Sequence, residues 1–516
     1  MKKTALHLLV IMAFGIIAYA GSFSNEFLYD DEYCVQRNPY IKDLRHIKEI
    51  FTKNFAAGAY RVDNFYRPLH QLAYLIVYQI FGLNVFGYHL LNFTLHLINA
   101  FLLYFFTLTL FKKRAMSFIA SLLFLVHPIH TEAITYISNT GDPLIMFFGL
   151  LTLIFYLKTD KNLLWYFPSL ACFVAALLSK ETIVILPFLI VLADLYRGEL
   201  SIRRSAKYIP FFLVMGCYIL ARLTVFNFSN SLNLFKMGNI YTQNLHYRIF
   251  TFFASLLEYY KLLLFPVGFK FDRSMTVFAS FFLPQVMISF VLFLVFFYFA
   301  CRDFKKDKII FLGFMWFFIS LAPVSGIIPV TGFTMEHWLY FPSIGFFMVI
   351  SFFLAKLKTN INIPFHKNRE LSVKLYIPVL LVIAAIFTYL TIQRNKDWKE
   401  PITFYNKIIK HNPGLARVRH NLAMAYGNLG LFDMAEKQYK TAIYLEDNYA
   451  ETHYNLALLY IEKDMIPEAV SELNKAIAIN DNFIYAHITL KEIYEKFSMT
   501  DEAQRESDKI NGIISN

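Results

Sequence analysis

Apolar stretches of about 17 to 25 residues, the length that crosses a hydrocarbon core, recur along the first three quarters of this chain and constrain its fold more than any other feature. Eleven spans are expected, near residues 5–23, 86–111, 115–133, 142–158, 162–178, 183–196, 208–226, 281–300, 308–327, 338–357 and 375–392. Composition agrees. Of 516 residues, 57% are hydrophobic and only 17% charged, which excludes an ordinary soluble protein, since those carry roughly a quarter charged residues. Four cysteines, Cys34, Cys172, Cys217 and Cys301, are too few and too scattered for a disulfide framework or a zinc ribbon.

The net charge of +12 resembles a nucleic-acid signal until it is divided along the chain. Residues 394–516 carry 15 Lys and Arg against 18 Asp and Glu, which leaves 34 basic against 19 acidic residues in 1–393. The excess sits in short connectors, where positive charge keeps loops on the cytoplasmic side. Met1-Lys2-Lys3, Lys112-Lys113-Arg114, Arg197 to Lys207, Arg302 to Lys308 and Lys356 to Lys374 form that set. Keeping them together requires that Arg248 to Phe265, with Arg248, Glu258 and Lys261, be an interfacial or re-entrant helix. An odd number of crossings then places the amino terminus inside and everything after Thr391 outside. Ala18-Tyr19-Ala20 has the form of a signal-peptidase site, but the acidic cluster directly after it favours retention as an anchor.

Residues 24–85 form the first outward loop, with helix candidates at Asp43 to Phe55 and, along the membrane surface, at Pro68 to Phe81. The tail differs completely. Leu422, Ala423, Tyr426, Gly430, Ala435, Tyr439 and Ala442 recur 34 residues later as Leu456, Ala457, Tyr460, Asp464, Ala469, Leu473 and Ala476. Leu490, Tyr494 and Ala503 mark a weaker third copy, and Tyr405 and Pro413 an upstream half-copy. That period fits tetratricopeptide helix pairs. The expected fold is therefore all-α, a polytopic membrane domain over 1–393 followed by an extracytoplasmic repeat domain over 394–516.

Chemistry-bearing residues gather at outward ends of the spans. Asp30 and Asp31 lie just beyond the first span, where a carboxylate can act as general base on a hydroxyl while its neighbour orients the site. His127, His130 and Glu132, Asp142, Lys180 and Glu181, and Glu336 and His337 fall on the same side, and ionisable groups at membrane depth are usually functional. Each alone is also a plausible structural hydrogen-bond former. The His127-Pro128-Ile129-His130 spacing hints at a metal, but Pro128 breaks helical geometry and no third ligand is placed, so no metal is expected. The absence of a Gly-rich phosphate loop or Walker pattern argues against a nucleotide from the cytoplasm.

Tyr29-Asp30-Asp31, Tyr66-Arg67-Pro68-Leu69, His89-Leu90-Leu91-Asn92 with His96, His127-Pro128-Ile129-His130-Thr131-Glu132-Ala133, Ser179-Lys180-Glu181-Thr182 and Leu339-Tyr340-Phe341-Pro342-Ser343-Ile344-Gly345-Phe346, followed by tetratricopeptide repeats, resemble the transmembrane and tetratricopeptide-repeat-containing O-mannosyltransferases. The resemblance runs in order through the chain. It implies a GT-C glycosyltransferase using a polyprenyl-phosphate sugar on the extracytoplasmic side, with Asp30 as the base and Asp31 supporting it. Arg67, His127, His130, Lys180 and His337 are the expected holders of the donor phosphate. Glu132, Asp142, Glu181 and Glu336 would orient them or bind sugar and acceptor. Two departures stand out, since the family commonly has arginines where this chain has His337 and Asn139.

The expected partners are membrane lipid, the lipid-linked sugar and a protein or glycan acceptor held by the repeats. A bacterial inner membrane suits the short loops and Lys-rich connectors. A membrane-anchored tetratricopeptide scaffold without catalysis is the alternative. A transporter ranks last, because the charges sit at span ends rather than at mid-membrane.

Overall fold

The computed structural model describes residues 2–515 except 60, 62, 229–239, 272–275, 330, 331, 333, 358, 359 and 366–368. The chain divides into two compact units, Met1–Lys399 and Glu400–Asn516.

The first unit is a helical membrane bundle, making the chain an integral membrane protein. Each expected span carries helix, but the helices are less uniform than the apolar runs. Five are long and apolar enough to cross alone: Lys2–Ser22, Val85–Phe111, Ile137–Lys158, Pro284–Arg302 and Tyr376–Lys396. Arg114–Val126 and Pro128–Thr135 pass together but bend by 51°, because Pro128 cannot donate into the ladder. Leu163–Ser179, Ile209–Leu223, Lys308–Val324 and Ser343–Ala355 are apolar and shorter. The stretch expected at 183–196 begins as a 3-10 turn over Glu181–Ile185 and becomes α-helix at Leu186–Arg197. Arg248 to Phe265 lies mostly in the helix Leu245–Leu264. Within the connector after Ala355, Asn360–Phe365 pairs antiparallel with Arg369–Lys374, a hairpin that hydropathy did not announce.

Broken helices at membrane depth free backbone groups that lipid cannot satisfy. Val85–Phe111 supplies the remedy through a polar stripe at i, i+4 and i+7 spacing. Asn92 Nδ2 donates to the Ile134 carbonyl at 3.1 Å, His96 Nε2 lies 2.9 Å from the Leu125 carbonyl, and Asn99 Nδ2 donates to the Pro143 carbonyl at 2.8 Å. All three are fully buried. Elsewhere small residues bring helices together: a Cβ on Gly313 would stand 2.5 Å from the Gly345 carbonyl oxygen, and one on Gly345 would collide with the Gly313 carbonyl.

The second unit is a tetratricopeptide solenoid. Pro401–His411 precedes the pairs Ala416–Asn428 with Phe432–Leu445, Ala450–Glu462 with Ile466–Ile479, and Ile484–Lys496 with Thr500–Ser515. Ala423, Ala435, Ala457, Ala469 and Ala476 are fully buried, as expected where helices pack closely. The inter-helix turn takes positive φ at the same register in every pair, at Gly430 (71°), Asp464 (57°) and Ser498 (58°). Each pair also buries a histidine, His453 and His487 in the same register and His420 one position away from it. His453 Nδ1 lies 2.6 Å from Glu472 and its Nε2 2.8 Å from Asp447, and His487 pairs with Glu506.

Candidate functional site

The two aspartates of the first loop have opposite surroundings. Tyr29 adopts φ 53°, a left-handed turn uncommon for a residue with a side chain, and the next two residues diverge. Asp31 turns inward and is 1% exposed. Its Oδ2 accepts from the Leu28 N–H at 2.9 Å, and its Oδ1 accepts from the Ser138 N–H at 2.7 Å and from the Ser138 hydroxyl. Burial, reinforced by the charge of Asp30, outweighs those donors and pushes the Asp31 carboxyl up to about 7. Asp30 is half-buried, with its N–H donating to the Tyr136 hydroxyl at 2.9 Å. Tyr136 stacks on Trp398, and Phe271 meets Tyr29, Tyr136 and Trp398 edge-on, so an aromatic wall stands beside Asp30.

Arg67, Lys180 and His337 are each held by a carboxylate named with them, His337 as a ring that burial pushes down to about 3. Arg67, at the entry to the helix Pro68–Phe81, donates from Nε and Nη2 to Glu181 at 3.0 and 2.6 Å. Burial works to raise the Glu181 carboxyl, but the Arg67 charge and hydrogen bonds hold it down to about 2. Lys180 Nζ lies 2.7 and 2.8 Å from the two oxygens of Asp142. His337 Nδ1 lies 2.5 Å from Glu132 Oε1, whose partner oxygen accepts from the Glu336 N–H at 3.2 Å. The fields of Lys180, Asp142, Arg67 and Glu336 all reach His337, which draws these pairs into one neighbourhood.

His127 and His130 are placed differently. His127 Nε2 lies 3.2 Å from the Leu263 carbonyl, and its Nδ1 accepts from the Ile129 N–H. His130 meets the Phe124 carbonyl at 2.7 Å and the Ser343 hydroxyl at 3.0 Å. Both rings spend their two nitrogens bracing the bend at Pro128. Among the described residues, no group of three or more His, Cys, Asp or Glu stands ready to hold a metal ion.

Three groups escaped the sequence reading. Arg394, near the end of Tyr376–Lys396, donates to Glu336 Oε2 at 3.1 Å and to Asp397 at 3.0 Å, and lies over Trp398. It supplies a buried arginine beside Glu336, whose neighbour in sequence is His337. Asp63 is pushed up to about 6 by burial, against hydrogen bonds and the Arg67 charge. His70, fully buried, lies in the fields of Arg67 and Lys180. An arginine ending an apolar run was the one available signal; Asp63 and His70 carry none beyond proximity to Arg67.

A polytopic helical membrane protein with a carboxy-terminal tetratricopeptide array, and buried acid–base pairs at one site, is thereby defined. Residues 67–224 match the family model described as dolichyl-phosphate-mannose-protein mannosyltransferase, and residues 416–449 and 450–483 match the tetratricopeptide repeat. Protein O-mannosyl-transferase F38B6.6 of Caenorhabditis elegans is 27% identical over 86% of this chain and 63% of its own length. Protein O-mannosyl-transferase TMTC2 of Homo sapiens is 26% identical over the same shares. The chain is similar in sequence to these two protein O-mannosyl-transferases and spans 63% of the length of each. Among solved structures, ArnT from Cupriavidus metallidurans bound to undecaprenyl phosphate aligns with a TM-score of 0.40 and 14% identity, covering 94% of this chain and 80% of that one.

Proposed function

We propose that the protein is a membrane glycosyltransferase of GT-C type that moves a mannose-like sugar from a polyprenyl phosphate to a hydroxyl of a protein or glycan acceptor. The observation that carries this reading is the assembly of Asp30, Asp31, Arg67–Glu181, Lys180–Asp142 and His337–Glu132 within one membrane unit. The family match over 67–224 supports it. A lipid-linked sugar already carries a good leaving group, so the protein needs one base and a cationic field rather than a nucleotide loop.

In this mechanism the acceptor oxygen attacks the anomeric carbon in line. Its proton passes to Asp30 as the carbon–oxygen bond to the lipid phosphate breaks, and the configuration inverts. Arg67 and Lys180 stabilise the departing phosphate while Glu181 and Asp142 keep them positioned. Glu132 and Glu336 hold His337 and Arg394 for the sugar side. His127 and His130 act through the backbone they brace, and no metal takes part. Asp31, with its raised carboxyl, sets the field beneath Asp30. The site faces away from the cytoplasm, in a bacterial inner membrane, and the repeats hold the acceptor.

The test is Asp30→Asn in purified full-length protein, assayed with mannosyl-phosphoryl polyprenol and a hydroxyl-bearing acceptor. Transfer falls by about 10²–10⁴-fold with unchanged thermal unfolding. Undiminished transfer removes Asp30 as base. Absence of transfer by the wild type, with acceptor still retained by the repeats, favours the scaffold.

A further inference from the structure

Arg67, Lys180 and Arg394 each face a carboxylate, so these pairs bring no net positive charge to an incoming phosphate. One further arginine lies close by and is not neutralised. Arg222 stands in the last turn of the helix Ile209–Leu223. Its two terminal nitrogens donate to the carbonyl oxygens of Phe226 and Asn64, and among the described residues no carboxylate pairs with it. Backbone carbonyls orient the guanidinium without cancelling its charge, and a full charge at the end of a membrane helix is costly unless an anion meets it.

The same contacts fix where that charge sits. Asn64 lies three residues before Arg67, and its Oδ1 accepts from the Phe228 N–H at 3.1 Å. Tyr66, between them in sequence, stacks on Phe226 with ring centroids 3.9 Å apart. Residues 222–228 are thereby tied to the stretch of chain that leads into Arg67. Tyr218, one turn before Arg222 on the same helix face, lies in the fields of Glu181, Arg222 and Arg67 together.

The place is open. Arg222 is half-buried, and its Nε, which has no hydrogen-bond partner among the described residues, is not sealed from the surface. The Glu181 side chain is 33% exposed, so the Arg67 pair is reachable as well. Leu220, Leu223 and Val225, on either side of Arg222, are exposed, and apolar side chains exposed on a membrane helix meet lipid. A ligand reaches Arg222 from the bilayer, with an apolar tail among those side chains.

We propose that Arg222 binds the phosphate of the lipid-linked donor at the lipid-facing edge of the unit and holds it beside the Arg67–Glu181 pair. This rests on the glycosyltransferase reading and names the cation that supplies the net charge. Once the two carbonyls are served, guanidinium hydrogens remain for the phosphate oxygens. A two-chain phospholipid carries the same phosphodiester, but the tie to Asn64 and Tyr66 sets Arg222 beside Arg67 rather than on a remote outer face, which favours the donor.

The experiment uses purified full-length protein in nanodiscs of neutral lipid. Arg222→Gln removes the charge and keeps an amide to donate to a carbonyl, whereas Arg222→Lys keeps the charge. Arg222→Gln is expected to raise the KM for mannosyl-phosphoryl polyprenol by about tenfold, with kcat and acceptor KM changed by less than about threefold, and Arg222→Lys to recover most of the loss. An unchanged donor KM in Arg222→Gln overturns the proposal. So do equal rises in both variants, which would trace the effect to the lost bonds with Asn64 and Phe226. A second readout needs neither turnover nor a variant, and decides the matter should Arg222→Gln fail to fold. A photoreactive polyprenyl phosphate is expected to crosslink to the wild type within residues 209–228, and excess polyprenyl phosphate, but not polyprenol or phosphatidylglycerol, to prevent it. Absence of that crosslink overturns the proposal, and competition by phosphatidylglycerol makes Arg222 a general phospholipid contact and overturns the donor assignment. A wild type that crosslinks as expected yet transfers no mannose overturns the glycosyltransferase reading and leaves Arg222 as a polyprenyl-phosphate contact.

Discussion

Lys180 and Asp142 meet at 2.7 and 2.8 Å from segments 38 residues apart, and each side chain is only 6% exposed. The pair joins the end of Tyr166–Ser179 to the first turn of Gly141–Lys158. A phosphate approaching Lys180 therefore meets a cation that already has a counter-ion. It adds to that pair or displaces Asp142, and a neutral pair gives up less solvation than a bare buried lysine.

Breaking the pair from one side leaves a buried charge alone. Lys180→Met is expected to destabilise the membrane unit by about 3–5 kcal/mol, and Lys180→Met with Asp142→Leu to recover much of that. Thermal unfolding in detergent measures both. Equal losses in the single and double variants would mean that packing, not charge, is what Lys180 supplies.

Asp31 makes stability depend on pH in the direction opposite to a surface carboxylate. Its carboxyl stands at about 7 in the fold against 3.8 ordinarily, so between those values the folded state holds a proton that the unfolded state has released. Stability therefore falls as pH rises from about 4 to about 7 and then levels. Asp31→Asn flattens that slope; a slope that survives it arises elsewhere, with Asp63 the next group to examine.

Arg394 is held by Glu336 and Asp397. Arg394→Lys keeps the charge and loses the fork that reaches both. A loss of about 2–3 kcal/mol is expected, with reduced transfer. A lysine variant matching the wild type in both would show that only the charge matters.

In the repeat unit His453 lies between Glu472 and Asp447. Burial lowers its pKa, but the two carboxylates prevail and raise it above 6.5. Its contribution is fully present below pH 6.5 and is lost as pH rises through the higher folded value. Hydrogen-exchange protection of residues 450–479, with the intrinsic rise of amide exchange with pH divided out, is expected to fall across that window in the wild type and not in His453→Gln.

Ser498 takes the left-handed turn position that Gly430 fills in the first pair. Ser498→Gly relieves a penalty of about 1 kcal/mol, partly offset by the greater freedom of glycine when unfolded. A rise of about 0.5 kcal/mol in the stability of the last helix pair is expected by denaturant titration. Destabilisation would mean that the serine side chain does more than tolerate its backbone.

Helix positions and repeats were readable because hydrophobic run length and a 34-residue period are properties of the chain itself. The break at Pro128 was not, since the Leu125 and Ile134 carbonyls on either side of it are met by His96 and Asn92 from a distant segment. The candidate site divides the same way. Residue types at span ends pointed to Arg67, Lys180, Glu132 and Glu181, but pairing is a long-range property. No local pattern assigns Lys180 to Asp142 rather than to adjacent Glu181, or brings Arg394 to Glu336. His130 offered the same sequence signal as His337, yet folding turned one toward Ser343 and the other toward Glu132.

The backbone contact between Gly313 and Gly345 reaches further than the two helices it joins. Ser343, two residues before Gly345, braces His130, and Tyr340 in the same stretch reaches His96. A side chain wedged into that seam would pry Ser343–Ala355 outward and loosen the lattice of histidines above it. Remote substitutions at either glycine would then register as a slackened reaction centre, with no change to any group that meets a substrate.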